Sequence, residues 1–284
     1  MMTKTKKNLE FIKFEHSIFA LPFAYSGAVL AYNGIPGIIT LIWITLAAVG
    51  ARSAAMSLNR IIDAKIDALN PRTKDRHIPR GDIRVGSALI FTILSFILLF
   101  ISAYQLNILC FMLSPILVAM FVIYPYLKRY TYLSHLFLGL CLGIAPVGGW
   151  LAITGTFEGF FPSMLVLASV VFWVAGFDII YSIQDMGFDR KSGLHSIPQR
   201  FGLDNALKIT LLFHVISVLF LIPLYFVSNL GFMFLMGIVT IILFLSYGQW
   251  IVRYDIKKIH IAFFDVNALV SVSFFVFLAL DVVF

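Results

Sequence analysis

The sequence predicts an all-α polytopic membrane protein with about nine transmembrane helices and a cytoplasmic N-terminus. Of its 284 residues, 61% are hydrophobic and only 12% are charged, and the mean hydropathy is +0.97. A water-soluble domain of this length cannot bury so much apolar surface, because its exterior still needs polar groups that face water. The apolar residues also form repeated runs of roughly 18 or more, which is the length of a membrane-crossing helix.

The apolar runs give about nine predicted spans within one integral-membrane domain that covers residues 1–284. No linker, low-complexity tract or polar module separates them, and the first run directly follows a basic segment, unlike a cleaved signal peptide. The predicted spans are residues 17–34, 38–62, 86–104, 107–127, 133–154, 163–186, 207–227, 231–252 and 263–283.

Basic residues lie unevenly around the predicted spans, and this asymmetry predicts the orientation of the protein. Lys4, Lys6, Lys7 and Lys13 precede the first span, and the loops after the second, fourth, sixth and eighth spans are rich in Lys and Arg. The loops on the opposite side, including "NGIPG" and "SNLG", contain neither. The positive-inside rule therefore places the N-terminus in the cytoplasm. The net charge of +7 reflects this topology and contact with anionic lipid, so we expect no nucleic-acid partner.

Acidic and amide side chains recur at four-residue intervals at the ends of two predicted helices. Asn59, Asp63 and Asp67 in "NRIIDAKID" form a first acidic motif, which we expect to stack on one face of the second helix where it emerges into the cytoplasm. Asp185 and Asp189 form a second acidic motif at the end of the sixth helix. Like charges at this spacing weaken a helix by roughly a few tenths of a kcal/mol per pair, which a divalent cation would offset. The alternative is that both motifs are ordinary solvated charges.

Each acidic motif is followed by a short segment of similar sequence. "HIPRGDI" comes soon after the first motif and "HSIPQRFGL" comes soon after the second. The two segments form a faint internal repeat, as expected of a membrane protein built from related helical units.

Two ionisable residues lie deeper in the predicted spans than the acidic motifs. Arg52 precedes Asn59, and Asp178 precedes Asp185, by two helical turns, or about 10 Å towards the membrane interior. Ionisable groups at this depth are costly and usually face a cavity, a partner or a substrate. We therefore consider two roles, a mutual ion pair between Arg52 and Asp178 and a direct contact with a ligand, which do not exclude each other.

The composition of the two motifs favours Mg²⁺ bound together with a diphosphate. Oxygen ligands without His or Cys select a hard cation, and Mg²⁺ is usually held by a few carboxylates together with substrate phosphates. The six His and two Cys show no metal-type spacing, so zinc is not expected. A diphosphate bound beside apolar helices implies a lipid diphosphate whose tail lies along a Phe-rich wall. The basic residues suited to bind it are Arg72, Lys74, Arg76, Lys128, Arg129, Arg190 and Lys191.

At these residues the sequence resembles the UbiA superfamily of intramembrane aromatic prenyltransferases. The superfamily motifs NxxxDxxxD and DxxxD match Asn59–Asp67 and Asp185–Asp189. The segments "RSAAMSLNRIIDAKIDALNPRTKDRHIPRG", "YPYLKRYTYLSHLFLGLCLGIAPVGGW" and "FDIIYSIQDMGFDRKSGLHSIP" look like the 4-hydroxybenzoate polyprenyltransferase branch, in the same order. The first predicted span, "FEHSIFALPFAYSGAVLAYNG", is more similar to a bacterial branch linked to menaquinone made by the futalosine route.

The resemblance implies a central cavity open to the lipid and a Mg²⁺-dependent transfer of a polyprenyl group from polyprenyl diphosphate to a small aromatic acid, in quinone biosynthesis. Metal and preorganised cations would stabilise the negative charge that grows on the leaving diphosphate. The catalytic residues so implied are Asp63, Asp67, Asp185, Asp189 and Arg129, and the metal ligands are these four aspartates and Asn59. The candidate substrate-binding residues are Asn59, Lys128, Arg52, Asp178, Arg72, Tyr181 and Lys191.

Several finer expectations accompany this assignment. Arg52 is expected to pair with the acceptor carboxylate, and Asp178 to orient the phenol or to hold Arg52. The acceptor is 4-hydroxybenzoate-like or, alternatively, a naphthoate for menaquinone. From a different class, an ion-coupled secondary transporter would also carry repeats and buried charges, although its site usually lies near the membrane midplane. We expect a bacterial inner-membrane protein with its active site facing the cytoplasm, and the sequence indicates no oligomeric state.

Overall fold

The computed structural model describes residues 20–284, and throughout this range the regular secondary structure is helical. The predicted all-α fold is therefore confirmed. The helices, numbered in chain order, are α1 (Leu21–Tyr32), α2 (Ile38–Ile62), α3 (Ala64–Leu69), α4 (Val85–Leu106), α5 (Ile108–Leu127), α6 (Ser134–Thr154), α7 (Phe161–Ser182), α8 (Met186–Ser192), α9 (Ile197–Val227), α10 (Phe232–Tyr254) and α11 (Val266–Val283). A 3₁₀ turn at Ile183–Asp185 precedes α8. A second 3₁₀ turn at Ile256–Lys258 and a π-helical turn at Ile261–Asp265 precede α11.

Eight helical segments in the described range are long and apolar enough to cross a membrane. They correspond to the second to ninth predicted spans, whereas α1, in the region of the first, has 12 residues. The predicted span 17–34 begins before residue 20, so its first residues lie outside the described range, together with Lys4, Lys6, Lys7 and Lys13. A polytopic helical bundle is thus confirmed, and the cytoplasmic N-terminus stays a prediction.

Contacts between helices close the bundle around a central space. α2 packs on α4, α5 joins α4 to α6, α6 packs on both α1 and α7, and α7 packs on α9. α10 and α11 complete the ring, because α11 returns to α1. Since consecutive spanning helices alternate in direction, α2, α5 and α7 all end on the same side of the bundle. We call this side, which carries both acidic motifs, the acidic end.

Glycine allows α1 and α6 to approach closely. A Cβ atom on Gly27 would lie 1.8 Å from the carbonyl oxygen of Pro146, and one on Gly149 would lie 1.9 Å from that of Ala24. Any larger residue would therefore displace the facing backbone. Because lipid tails are as apolar as the surfaces of the helices, the hydrophobic effect does not drive membrane helices together. Close van der Waals packing of this kind stabilises their association instead.

The helices are interrupted within both acidic motifs, but part of the predicted stacking is present. Nδ2 of Asn59 donates to Oδ2 of Asp63 at 3.4 Å, and the N–H of Asp67 donates to the carbonyl oxygen of Asp63 at 2.8 Å. α2 ends at Ile62, the chain turns at Asp63 (φ −92°, ψ 3°), and Asp67 lies on the separate short helix α3. Asp185 likewise ends a 3₁₀ turn, and Asp189 lies on α8. Asp63 and Asp67 each pair with a different cation, which offsets the like-charge repulsion expected between them.

The segment after the second acidic motif becomes helical well before the predicted start at residue 207. α9 begins at Ile197, and the Ser196 side chain caps it by accepting a hydrogen bond from the N–H of Gln199 at 3.3 Å. Gly202 bends the helix with a φ of 78°, a left-handed value that glycine adopts without strain. The repeat segment "HSIPQRFGL" thus forms the cap and first turns of α9.

We predict that Gly149→Ala destabilises the fold, because the new methyl group would force α1 and α6 apart. Overpacking of this kind costs about 1–3 kcal/mol, and thermal unfolding in detergent should show a clear fall in Tm. The matched control is Gly148→Ala, since a Cβ at Gly148 meets nothing within 4 Å. This control should keep or raise Tm, because alanine favours a helix over glycine by ~1 kcal/mol. An equal loss in both variants would contradict the packing argument.

Candidate active site

A cavity of roughly 950 Å³ runs along the inside of the bundle between α2, α4, α5, α6 and α7. Its lining extends on α2 from Ile44 to Asp63 and on α5 from Cys110 to Lys128. At 1.5 Å per residue these stretches measure about 27–29 Å, close to the thickness of the hydrocarbon core of a bilayer. The lining is charged at the acidic end and mainly apolar elsewhere. The predicted central cavity is therefore present.

All five predicted metal ligands line the acidic end of this cavity. They are Asn59, Asp63, Asp67, Asp185 and Asp189. The fold thus brings together two motifs that are far apart in sequence. Within residues 20–284, however, no three carboxylate, His or Cys groups lie close enough to hold a metal ion by themselves. The arrangement suits a metal that takes some of its ligands from a bound diphosphate.

Arg72 joins the two motifs. Its Nε donates to Oδ1 of Asp185 at 2.8 Å and its Nη2 contacts Oδ2, so the pair is bidentate. Its Nη1 donates to the hydroxyl of Tyr181 at 2.8 Å, and Nδ2 of Asn70 donates to Asp185 at 2.8 Å. Burial lowers the pKa of Arg72, but its hydrogen bond with Asp185 and the charges of Tyr181 and Asp185 outweigh burial and raise the pKa above its ordinary value. The guanidinium is therefore a permanent positive charge at the acidic end.

Cations also neutralise the two aspartates of the first motif. Nζ of Lys128 donates to Oδ2 of Asp63 at 2.5 Å, and Nη2 of Arg129 lies 3.3 Å from Oδ1. Nη1 of Arg76 donates to both carboxylate oxygens of Asp67 at 2.8 Å. Asp63 and Asp67 are only 1% and 4% exposed. Their ion pairs therefore offset the desolvation cost of two buried charges.

Asp189 differs from the other three aspartates. In the part of the chain that the structure describes, it forms no ion pair, and the hydroxyl of Ser196 donates to its Oδ2 at 2.9 Å. Asp189 is buried, so this neutral hydrogen bond leaves its negative charge facing the cavity.

Several buried guanidinium nitrogens have no hydrogen-bond partner among residues 20–284. They are Nε and Nη1 of Arg60, Nε of Arg129 and, deeper in the bundle, Nε of Arg52. A buried donor without an acceptor costs about 1–3 kcal/mol, and more when it is charged. Such groups in a native site need an acceptor, and none is supplied within the part of the chain that the structure describes. An anionic ligand with several oxygen atoms, such as a diphosphate, fits this requirement.

The ion pair considered between Arg52 and Asp178 is not formed. Oδ2 of Asp178 instead contacts Nδ1 of His135 at 2.7 Å. The N–H of Ile197 donates to Nε2 of the same ring at 3.3 Å, which assigns the ring proton to Nδ1 and makes His135 the donor to Asp178. The partner of Asp178 therefore comes from α6. The guanidinium of Arg52 lines the cavity and forms no ion pair with a described residue.

Four predicted ligands lie away from the cavity lining. Arg129 is half-buried and contacts Asp63 without lining the cavity itself. Lys74, Arg190 and Lys191 are exposed, and none of them lines the cavity. Their positions agree with the positive-inside role that also explains their charge. The structure therefore brings Arg72, Lys128 and Tyr181 to the cavity but leaves Lys191 at the surface.

Sequence analysis missed three residues that contact the predicted site. Asn70 binds Asp185, His135 binds Asp178, and Ser196 binds Asp189. Asn70 and Ser196 are small polar residues in connecting segments, and no spacing distinguishes them. His135 carried a signal, because an ionisable residue within a predicted apolar span needs a partner or a function.

The bundle and its cavity define a class of membrane proteins that hold an anionic ligand at one end of an apolar, membrane-long cavity. Residues 20–278 match the model of the UbiA prenyltransferase family. The chain belongs to this family, and it is a membrane-embedded prenyltransferase. The family match confirms the resemblance found in the sequence and decides against the ion-coupled transporter.

Named relatives and solved structures agree with this assignment. The chain is 30% identical over 253 residues to a 4-hydroxybenzoate octaprenyltransferase of Vesicomyosocius okutanii, covering 89% of this chain and 92% of the relative. It is 32% identical over 215 residues to that of Vibrio parahaemolyticus, with 74% and 70% covered. A UbiA homologue from Aeropyrum pernix K1 has a TM-score of 0.86 at 34% identity, with 94% and 98% covered. A homologue from Archaeoglobus fulgidus, solved with DMAPP and Mg²⁺, has a TM-score of 0.72 at 18% identity, with 96% and 99% covered, and shows the fold alone.

We predict that Arg52→Met raises the Tm of the ligand-free protein in detergent. Methionine has a similar length, and the change removes a buried charge whose Nε has no acceptor in residues 20–284, so the gain should be about 1–3 kcal/mol. Lys208→Met, which removes an exposed charge from α9, is the control and should alter stability by no more than about 0.5 kcal/mol. A lower Tm for Arg52→Met would show that Arg52 has a stabilising partner within the chain.

Proposed function

We propose that the protein transfers a polyprenyl group from polyprenyl diphosphate to an aromatic acid, 4-hydroxybenzoate or a close analogue, with Mg²⁺ as cofactor. The observation that carries this proposal is the convergence of two acidic motifs and several cations at one end of an otherwise apolar cavity. The names of the curated relatives support the acceptor class and a quinone-biosynthetic role. The active site would face the cytoplasm from a bacterial inner membrane, because the acidic end carries the basic loops.

The acidic end supplies both parts of a metal–diphosphate site. Asn59, Asp63, Asp67, Asp185 and Asp189 would hold Mg²⁺, which when bound neutralises charge that develops on the leaving diphosphate. Around them, Arg72, Arg76, Lys128 and Arg129 are fixed by ion pairs to those aspartates. The unpartnered nitrogens of Arg60 and Arg129 would donate to phosphate oxygens.

The reaction begins with cleavage of the allylic C–O bond, whose electron pair leaves with the diphosphate. Lys128 and Arg129 stand beside Asp63, where that negative charge grows, and preorganised donors at such a position stabilise the transition state. The allylic cation then lies in the apolar part of the cavity, which excludes the water that would trap it. A ring carbon of the acceptor attacks the cation, a C–C bond forms, and the ring loses a proton.

Arg52 and Asp178 would bind the acceptor below the diphosphate. Both line the cavity, and Arg52 presents a buried guanidinium whose Nε no described residue satisfies. A carboxylate matches the fork of a guanidinium, so the acid group of the acceptor would pair with Arg52. Asp178, held by His135, would accept a hydrogen bond from the phenol and so raise the electron density of the ring. A naphthoate that carries the same two groups is the alternative acceptor.

The remaining cavity would hold the prenyl tail. Ala47, Ala51 and Ala55 line it on α2, and Leu117 and Phe121 face it from α5. These small residues on α2 leave a groove that continues towards the opposite membrane face. An isoprene unit is about as long as one helical turn, roughly 5 Å, so several units would fit along the groove.

The test of the proposed function is a reconstitution in liposomes with Mg²⁺, a polyprenyl diphosphate and a panel of acceptors. The panel includes 4-hydroxybenzoate, dihydroxynaphthoates and a phenol that lacks the carboxylate. We expect release of diphosphate and a C-prenylated product with an acid acceptor, and much less product with the phenol. Diphosphate release without C-prenylation of any acid acceptor would contradict the proposal.

We predict that Asp63→Asn and Asp185→Asn each abolish turnover. Each variant removes a carboxylate that would hold the metal and leaves its cationic partner unpaired, so the loss should be at least about 10²–10³-fold in kcat. The measurement is the rate of product formation at saturating substrates. Asp204→Asn, an exposed carboxylate on α9, is the control and should keep the wild-type rate. Near-wild-type turnover of either site variant would remove its residue from the catalytic set.

We predict that Ala51→Phe discriminates between short and long prenyl chains. Ala51 lies about 18 Å from Asp63 along α2, the depth that we expect a third isoprene unit to reach. A phenyl ring there should leave geranyl transfer intact but reduce transfer of tetraprenyl and longer chains by about tenfold or more, from a clash of about 1–3 kcal/mol. Ile42→Phe, which faces outward from α2, is the control. Equal rates with all chain lengths in Ala51→Phe would show that the tail leaves the bundle before this depth.

A further inference from the structure

Three consecutive residues after the second acidic motif bind three different parts of the candidate active site. The N–H of His195 donates to the carbonyl oxygen of Lys128 at 2.7 Å. The hydroxyl of Ser196 donates to Oδ2 of Asp189 at 2.9 Å. The N–H of Ile197 donates to Nε2 of His135 at 3.3 Å. One short stretch thus links the turn after α5, the helix α8 and the helix α6.

A tight turn places Ser196 beside Asp189. Gly193 has a φ of 67°, in the left-handed region that glycine favours at the end of a helix. The N–H of Leu194 then donates to the carbonyl oxygen of Asp189 at 2.9 Å, which folds the chain back over α8. Ser196 and Asp189 are both buried, so a lost hydrogen bond between them would not be replaced by free solvent.

The hydrogen bond from Ser196 differs in kind from the contacts of the other aspartates. Asp63, Asp67 and Asp185 each pair with a cation, which competes with a metal for the carboxylate oxygens. Ser196 instead donates one neutral hydrogen bond to Oδ2 and leaves the charge of Asp189 in place. This hydrogen bond restricts the rotation of the carboxylate, and Oδ1 takes no part in it.

We propose that Ser196 is a positioning residue that orients Asp189 for the metal. The segment His195–Ile197 would also hold Lys128 and the His135–Asp178 pair in place relative to Asp189. This inference rests on the proposed function, because it assumes that Asp189 holds Mg²⁺. Groups that orient metal ligands typically contribute 10–100-fold to metal affinity. The inference gives the repeat segment "HSIPQRFGL" a role beyond capping α9.

The test must separate this role from the helix cap. Ser196 also accepts the N–H of Gln199, so Ser196→Ala loses the cap as well and should cost about 1 kcal/mol of stability. Ser196→Gly loses the same hydrogen bond to Asp189, but glycine is a nearly equivalent cap, so the cost from capping is only about a few tenths of a kcal/mol. The stability control is Asn107→Ala, which removes the cap of α5 far from the acidic end. The side chain of Asn107 accepts a hydrogen bond from the N–H of Cys110 at 2.9 Å.

The experiment measures Mn²⁺ binding by electron paramagnetic resonance, with a thiolo prenyl diphosphate that does not ionise. We expect Ser196→Ala and Ser196→Gly to weaken Mn²⁺ binding by about 10–100-fold. The alanine variant should lose more Tm than the glycine variant, because only alanine also loses the cap. Asn107→Ala should lose Tm and bind Mn²⁺ like the wild type. In turnover assays, both Ser196 variants should need more Mg²⁺ for half-maximal rate and recover kcat at saturating Mg²⁺.

The outcomes separate this inference from the proposed function. Wild-type Mn²⁺ affinity in Ser196→Gly, or an affinity loss that Asn107→Ala shares, would overturn the positioning role and leave the proposed function intact. Absence of Mn²⁺ binding in the wild type with the diphosphate analogue would overturn both. Loss of kcat that excess Mg²⁺ does not restore would also overturn the positioning role, because it would place Ser196 in the chemical step.

Discussion

The bidentate pair between Arg72 and Asp185 is the contact on which the rest of the site depends. Arg72 follows the first acidic motif and Asp185 belongs to the second, so this pair holds the ends of α2 and α7 together. Charges at the boundary of an apolar bundle are costly unless they are paired and fully hydrogen-bonded. Asn70 and Tyr181 complete the hydrogen bonds of the pair, so the junction is both stable and fixed in geometry. A site that spans two distant segments needs such a junction before it can bind anything.

The distribution of charge around this junction favours an anionic ligand. Three aspartates already have cationic partners, and further guanidinium nitrogens of Arg60, Arg129 and Arg52 remain without acceptors in residues 20–284. The described residues therefore leave several guanidinium donors at this end of the bundle without an acceptor. A metal ion alone would leave these donors without acceptors, whereas a metal bound together with a diphosphate would supply oxygen atoms for them.

The helical fold, the approximate spans and the residues of both motifs could be predicted from the sequence, because hydropathy and four-residue spacing are local properties. The partners of those residues could not. Whether Asp178 contacts Arg52 or His135 depends on how closely α6 packs against α7. Gly139 permits this close packing, because a Cβ atom at that position would lie 2.3 Å from the carbonyl oxygen of Val171. The bends at Asp63 and at Asp185 are equally invisible to periodicity, because the four-residue spacing of each motif continues through its bend.

A prenyltransferase of this kind must hold many charges and still keep water from an allylic cation. The cavity meets both demands by placing its charges at one end and apolar side chains along the rest. Arg52 breaks this separation, because its guanidinium lies two helical turns below the acidic end, where burial without a partner is costly. Under the proposed function, that cost is recovered only when a carboxylate binds beside it. The position of Arg52 is therefore an argument that the acceptor is an acid, independent of the names of the relatives.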